Sequence, residues 1–398
     1  IKDPLFARAT AFCAGEKTAV WLTLDLLCVD SILRTRISKA LVSAGLGVDS
    51  LTVCATHTHT APSVISFHSR YPTHEETFRG IVSGTVAAVS QAIESVAPSE
   101  IAYGEAPVAI NVNRREIGRM RDVNDLTAPT GLVDPLARVL RLSHVGTGHT
   151  GLLVNYTAHP LTMAKDVPLI SADFPGQTVR KLLERDGVVH AQFLQGCAGN
   201  INVKISGDER EADLAGALLA EGALTAADSA NPSEGTGLNM SSHMARLPWA
   251  RFPTLEEAQD LRGKARAGEP VPDVGRGDIA VDWADALCQR LEAGGVPPYI
   301  DTLVQAVRVG DATLLALPGE VFVEIGQQIR EQTGAEQLLI AAYANADEVG
   351  YVPTASAFPE GGYEVDIAPY YYGLFKLTPE CERVLVRTGI TCVRDVLP

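Results

Sequence analysis

The sequence predicts an α/β fold, a mixed or largely parallel β-sheet core flanked by helices, and three observations predict it. Short apolar, β-rich runs alternate with stretches of helical periodicity along most of the chain, the pattern of β-α units. The runs are almost continuously apolar, so the sheet is expected to be largely buried. With 398 residues, 46% hydrophobic and 20% charged, the chain has material for a large core.

Residues 19–25 form the first strand pattern, and 31–44 follow as an amphipathic helix that Gly45 and Gly47 stop. Residues 51–55 are the next strand, followed by a loop with three histidines and Pro62 and by a helix over 75–95. The strand pattern recurs at 151–157, 188–194, 313–317 and 337–343, and a helix is expected over 321–332. Residues 229–295 turn to Pro, Gly and charge around helical stretches at 255–267 and 282–293. They read as an irregular and helical excursion inside one domain spanning 1–398.

The net charge of −15, with no block of Lys or Arg, speaks against nucleic acid or an anionic bilayer as a partner. The longest apolar stretch, 18–29, is short and interrupted by Asp25, so integral membrane association is not expected. Cysteines at 13, 28, 54, 197, 288, 381 and 392 form no CxxC pair and suit buried thiols in a reducing, cytoplasmic compartment. The chain begins at Ile1 without a Met or a signal-peptide pattern, so an upstream segment is expected and secretion stays open. Homo-oligomerisation is equally open.

The densest polar signal is Thr56-His57-Thr58-His59-Thr60, where the 51–55 strand runs out. In an extended segment residues i and i+2 point to one side, so His57 and His59 face one site and one or both can ligate a metal. Read alone, the pair is two loop histidines bonded to backbone. His159 stands just after another strand, on a turn stiffened by Pro160; read alone, it is a capping or core histidine. Position favours the ligand reading, because open α/β sheets bind ligands outside the carboxyl ends of their strands.

Two more strand ends carry suitable groups. Glu320, in Leu317-Pro-Gly-Glu320, is expected to open the 321–332 helix, and Asp347, Glu348 and Tyr351 follow the 337–343 strand. Two histidines and a carboxylate, with a position left for water, make a catalytic zinc set, one Zn2+ per chain. Ala61-Pro62 stands where the metallo-β-lactamase pattern would continue with Asp-His. The later lysine, histidines and aspartate of an amidohydrolase barrel are not found in order, and no Gly-x-Ser-x-Gly elbow marks a serine hydrolase. The glycines of the 195–202 loop allow backbone N–H groups to converge on an oxyanion, or simply a tight turn; Cys197 within it has no base partner in sequence.

Taken in order, these motifs resemble the neutral/alkaline non-lysosomal ceramidase family. The family's His-Thr-His-Ser-Gly-Pro appears as His57-Thr-His-Thr-Ala-Pro62, its Asn-Arg-Ser as Asn113-Arg114-Arg115, and its Ala-Val-His as Thr157-Ala-His159. Its Pro-Gly-Glu is Pro318-Gly-Glu320, and its Tyr-x-x-Thr followed by Arg-Tyr-Glu is Tyr351-Val-Pro-Thr354 with Gly362-Tyr363-Glu364.

The resemblance implies a ceramidase-like catalytic domain, here without the C-terminal immunoglobulin-like domain of full-length members. It implies zinc on His57, His159, Glu320 and Tyr351, with His59, Arg114 and Tyr363 around the scissile carbonyl. The implied activity is cleavage of an N-acyl amide bond by metal-activated water, on a lipid or small-molecule substrate. One departure matters: the family's active-site serine aligns with Asn202, which can hydrogen-bond but cannot be a nucleophile. The alternatives are a zinc enzyme of the same fold acting on a small amide, lactam or ester, in either direction, or a non-catalytic binding module.

Overall fold

The computed structural model describes residues 1–398 except 63, 65–74, 116–130, 164–168, 251–252, 273, 276, 296, 346 and 374. Residues 63 and 65–74 of the loop expected between the 51–55 strand and the 75–95 helix therefore lie outside the described residues. The chain opens with the antiparallel pair β1 (Ala7–Ala14) and β2 (Lys17–Leu24). Helix α1 (Ser31–Ser43) then leads to β3 (Ser50–Ala55), which lies parallel to β2. Asp30 caps α1 by accepting the Leu33 N–H at 2.7 Å. Leu33, Ile37 and Leu41, one helical turn apart, bury its inner face. Helix α2 (Glu75–Glu94) packs beside α1 over this three-stranded sheet.

The middle of the chain supplies β4 (Ser99–Pro107), β5 (Asn111–Asn113), β6 (Leu136–His144), β7 (Thr150–Tyr156), α3 (Asp173–Leu183), β8 (Val188–Gln195), β9 (Ile201–Val203), α4 (Glu209–Asp228) and β10 (Asn231–Pro232). Five of these strands form a sheet in the order β10-β4-β6-β7-β8, while β5 and β9 pair separately as a short ribbon. Helices α3 and α4 cover the outer face of the five-stranded sheet through Phe174, Val179, Leu182, Ala215 and Leu219.

The last part contributes β11 (Leu238–Pro248), α5 (Leu255–Arg266), α6 (Asp278–Glu292), β12 (Tyr299–Val309), β13 (Ala312–Ala316), β14 (Glu320–Val321), α7 (Val323–Thr333), β15 (Leu338–Ala341) and β16 (Tyr351–Val352). A third sheet runs β11-β12-β13-β15. A π-helical turn at Tyr363–Ile367, α8 (Ala368–Tyr371) and α9 (Glu380–Val396) complete the chain. Bridging between Cys54 and Ala344 brings the first and third sheets edge to edge. The second sheet lies against them, and Phe12, Trp21, Leu153, Leu194, Leu314 and Leu339 close the apolar layer between. Helices therefore lie outside and sheets inside, as burying one apolar face of each element requires.

The sheets are mixed. Among the described strands the parallel pairs are β2/β3, β7/β8, β13/β15 and β14/β16. Two expectations shift locally. The two helices of the 229–295 stretch are present, but Leu238–Pro248 ahead of them is a strand; it sits at a sheet edge, buries only Leu238, Ala245 and Leu247, and so reads as polar. The expected 321–332 helix begins only at Val323, so Glu320 lies in a two-residue strand and not in a helix's first turn.

Candidate metal centre at the strand ends

Four strand ends deliver the central groups. His57 follows β3, His159 follows β7, Glu320 follows β13, and Tyr351 follows β15. At His57 the backbone turns left-handed, φ 66°, with its N–H bonded to the Leu26 carbonyl at 2.9 Å. His57 and His59 thus converge, with Nε2 atoms 3.2 Å apart, by a kink and not by the extended geometry the sequence suggested. His159 is fixed by its N–H to the Ile201 carbonyl at 2.9 Å and by bridging to Asn202 in β9.

Glu320 and Tyr351 are register partners in the parallel β14/β16 pair, which sets two residues 31 apart in sequence side by side. Gly319 makes this possible. Its φ is 75°, and a Cβ there would stand 2.1 Å from Val349 Cγ1 and 2.4 Å from the Gly350 carbonyl oxygen.

The donor atoms meet at one point. His57 Nε2 lies 3.0 Å from His159 Nε2, and Glu320 Oε2 lies 3.0 Å from His159 Nε2 and 3.3 Å from His57 Nε2. His57, His159 and Glu320 are all buried. His57 Nδ1 is 2.7 Å from the Leu27 carbonyl, and His159 Nδ1 is 2.7 Å from the Ala198 carbonyl. A carbonyl only accepts, so each Nδ1 carries the proton and each Nε2 turns a lone pair inward. Glu320 Oε2 is buried without a hydrogen-bond partner. Two lone pairs and a carboxylate oxygen facing one another in a buried space need a cation between them, so these residues fit a metal ion.

The charges follow from this crowding. Burial and then the Arg114 charge push the His159 imidazole down to about 4. Dense packing around His59, then repulsion by His57 and His159, holds that ring well below the usual histidine range, although its outer edge is open to solvent. Burial alone would raise the Glu320 carboxyl, but attraction to His57 and His159 outweighs it and keeps the group well below the ordinary range. Burial, with Glu320 close by, raises the Tyr351 phenol well above 10.

Arg114 follows β5 and is clamped from three sides. Nε donates to Glu364 Oε1 at 2.8 Å, Nη2 to the Gly199 carbonyl at 2.6 Å, and Nη1 to Asn202 Oδ1 at 3.4 Å. Its guanidinium lies 5.3 Å from the Tyr351 ring centre and 5.9 Å from that of Tyr363. Tyr363 is 46% exposed at the mouth of the site, with its phenol pushed up to about 12 chiefly by burial of its inner side. The eight residues carried over with the family resemblance, His57, His59, Arg114, His159, Asn202, Glu320, Tyr351 and Tyr363, thus stand at one place.

Glu348 and the 195–202 loop do other things. Glu348 accepts the Ser31 N–H at 2.6 Å, at the start of α1. The side chain of Asp347 lies outside the described residues. In the 195–202 loop the Gly196 N–H is committed to the Tyr156 carbonyl and the Gly199 N–H to the Val321 carbonyl, both at 2.8 Å. A Cβ on Gly199 would meet the Glu320 carbonyl oxygen at 2.4 Å, so this glycine serves close packing and not oxyanion binding. Burial pushes the Cys197 thiol up to about 12, as suits an inert side chain.

Sequence reasoning gave no role to three residues. Glu364 joins Arg114 and Arg115, accepting from each at 2.8 Å. Tyr343, left-handed at φ 56°, lays its ring 4.1 Å from that of His57. Tyr372 donates its hydroxyl hydrogen bond to Glu320 Oε1. The run Tyr370-Tyr371-Tyr372 was visible, but nothing in it singled out the third.

Fold and cluster together define an α/β protein with a buried group of side chains that could hold a metal ion at the carboxyl ends of parallel-paired strands. Residues 1–207 match the sequence model of the neutral/alkaline non-lysosomal ceramidase family, N-terminal part, and the chain belongs to that family. The curated neutral ceramidase of Pseudomonas aeruginosa is 23% identical over 415 residues, 88% of this chain and 61% of that protein. The chain thus spans about three fifths of the length of that relative. A crystal structure of neutral ceramidase from Pseudomonas aeruginosa superimposes with TM-score 0.72 at 21% identity, covering 97% of this chain and 68% of that one. A structure described as ceramidase complexed with C2 gives TM-score 0.72 at 20% identity, covering 98% and 70%. At such identity the likeness establishes the fold.

Proposed function

We propose that this chain is a zinc-dependent hydrolase that cleaves an N-acyl amide bond, ceramidase-like in chemistry. The observation that carries the reading is the pair of Nδ1-protonated imidazoles whose Nε2 lone pairs meet Glu320 Oε2 in a buried space. Membership of the ceramidase family and likeness to the Pseudomonas neutral ceramidase support the reaction class. His57, His159 and Glu320 would hold the ion, with Tyr351 beside them as the fourth group. Bound there, zinc would acidify a water molecule and polarise a carbonyl.

The chain's own residues do the rest. His59, neutral at pH 7, accepts a proton from the attacking water and returns it to the leaving amine, so that water and amide become acid and amine. Arg114, held by Glu364 and the Gly199 carbonyl, keeps a fixed positive charge over the reacting carbonyl. Tyr363, protonated at neutral pH, donates a hydrogen bond from the open side. Asn202 touches Arg114 and cannot attack, so no covalent acyl step runs through it. That departure is what favours the second reading, a non-catalytic binding module of the same fold.

Elemental analysis before and after chelation, paired with a panel of N-acyl substrates that includes ceramide, tests both. About one zinc per chain with chelator-sensitive amide cleavage supports the hydrolase, and the panel separates lipid from small substrates. Absence of zinc, or zinc without turnover of any amide, overturns it in favour of a binding module.

A further inference from the structure

The geometry points to Tyr372 as the positioning residue that selects which Glu320 oxygen faces the cation. The inference rests on the metal reading above. Glu320 has two carboxylate oxygens, and the environment treats them differently. Oε1 accepts the Tyr372 hydroxyl; Oε2, buried and without a hydrogen-bond partner, is aimed between His57 Nε2 and His159 Nε2. A carboxylate with one oxygen held by a neutral donor can rotate neither oxygen away from its place, so it meets a cation through the other.

The backbone around Tyr372 suits a fixed donor. Its N–H closes α8 on the Ala368 carbonyl at 3.3 Å, and Gly373 turns the chain away at φ 64°. Its ring packs edge-on to Tyr351 with centroids 6.3 Å apart. The same short segment carries Glu364, which clamps Arg114. The 363–372 segment therefore holds both the carboxylate, through Tyr372, and the principal cationic side chain of the site, through Glu364. Tyr372 is thus a group acting through Glu320 and not a catalytic residue.

The test uses the full chain, chelated and then titrated with zinc against a chromophoric chelator. Tyr372→Phe keeps the ring and deletes only the hydroxyl; Tyr371→Phe, at a residue 45% exposed, is the control from the same segment. The expected result is a fall of about 10- to 100-fold in zinc affinity for Tyr372→Phe. Tyr371→Phe should bind like the wild type, and the chelated forms of all three should melt together. Cobalt-loaded Tyr372→Phe at saturation should also show a changed visible absorption band, which a general loss of stability would not produce. Unchanged affinity and an unchanged cobalt band in Tyr372→Phe would overturn the inference while leaving the metal site standing. A wild-type chain that binds no zinc would overturn the metal reading itself, and this inference with it.

Discussion

His57 and His159 each spend their Nδ1 proton on a backbone carbonyl, and that decides what their other nitrogens can do. His59 differs: its Nε2 also faces the cluster, 3.2 Å from His57 Nε2, but its outer edge is open to solvent. The three imidazoles offer ligand atoms within 4.8 Å of one another, so geometry alone admits His59 as a ligand. Glu320 Oε2, at 3.0 Å from His159, is the better third donor because it is buried and has no hydrogen-bond partner. His57→Ala and Glu320→Ala should therefore lose zinc and turnover together. His59→Ala should keep zinc and lose turnover by about 10²- to 10⁴-fold, the range for a general acid-base group. Zinc stoichiometry and kcat measured on the three variants separate the roles; loss of zinc from His59→Ala would make it a ligand.

Short elements carry more of the site than long ones do. The two-residue pairs of β14 with β16 set Glu320 beside Tyr351, and Gly319 is the hinge on which they close. Gly319→Ala combines a left-handed backbone with a Cβ overlap, and should cost about 2 kcal/mol or more of stability as well as weaken zinc binding. Urea midpoints and a zinc titration would show both. At the far edge, Asp311 ties the 233–235 turn to the β12/β13 hairpin, accepting the Gly235 N–H at 3.0 Å and the Glu234 N–H at 2.8 Å. The Gly235 and Glu234 hydrogen bonds hold its carboxyl below the usual aspartate range. A depressed acid contributes stability that is present above its unfolded value, ~3.9, and is lost as pH falls through the lower folded value. Asp311→Asn should therefore cost on the order of 1 kcal/mol at neutral pH, discounted for exposure, and the gap in urea midpoint should close on acidification.

At the scale of the molecule, the proposed metal centre gathers the ends of strands from three sheets, since β3, β7 and β13 belong to different ones. An ion bound only to the folded chain stabilises it by mass action, about 2.7 kcal/mol at a hundredfold excess over Kd. Zinc-loaded protein should melt several degrees above the chelated form, and His57→Ala should lose the difference; scanning calorimetry reads both. The apolar layer between the sheets depends on no ion, so the chelated chain should still unfold cooperatively. Among the described residues no helix is long and apolar enough to cross a membrane.

The sequence by itself determined the strand and helix alternation over β2 to α2, β7, β8, β13 and β15, because period and stop signals are local. It also placed His57, His159, Glu320 and Tyr351 at strand ends, since a polar residue after an apolar run is legible without partners. What only the tertiary structure decided is how those ends meet. The polar edge strand β11, the short register of β14 with β16 and the left-handed turn at His57 are set by neighbours far away in sequence. So are the commitment of the Gly196 and Gly199 N–H groups to carbonyls and the contact of Tyr372 with Glu320. Hydrogen bonds between residues tens to hundreds of positions apart leave no periodic trace in the chain, and those bonds fix which atom of each site residue faces the centre of the cluster.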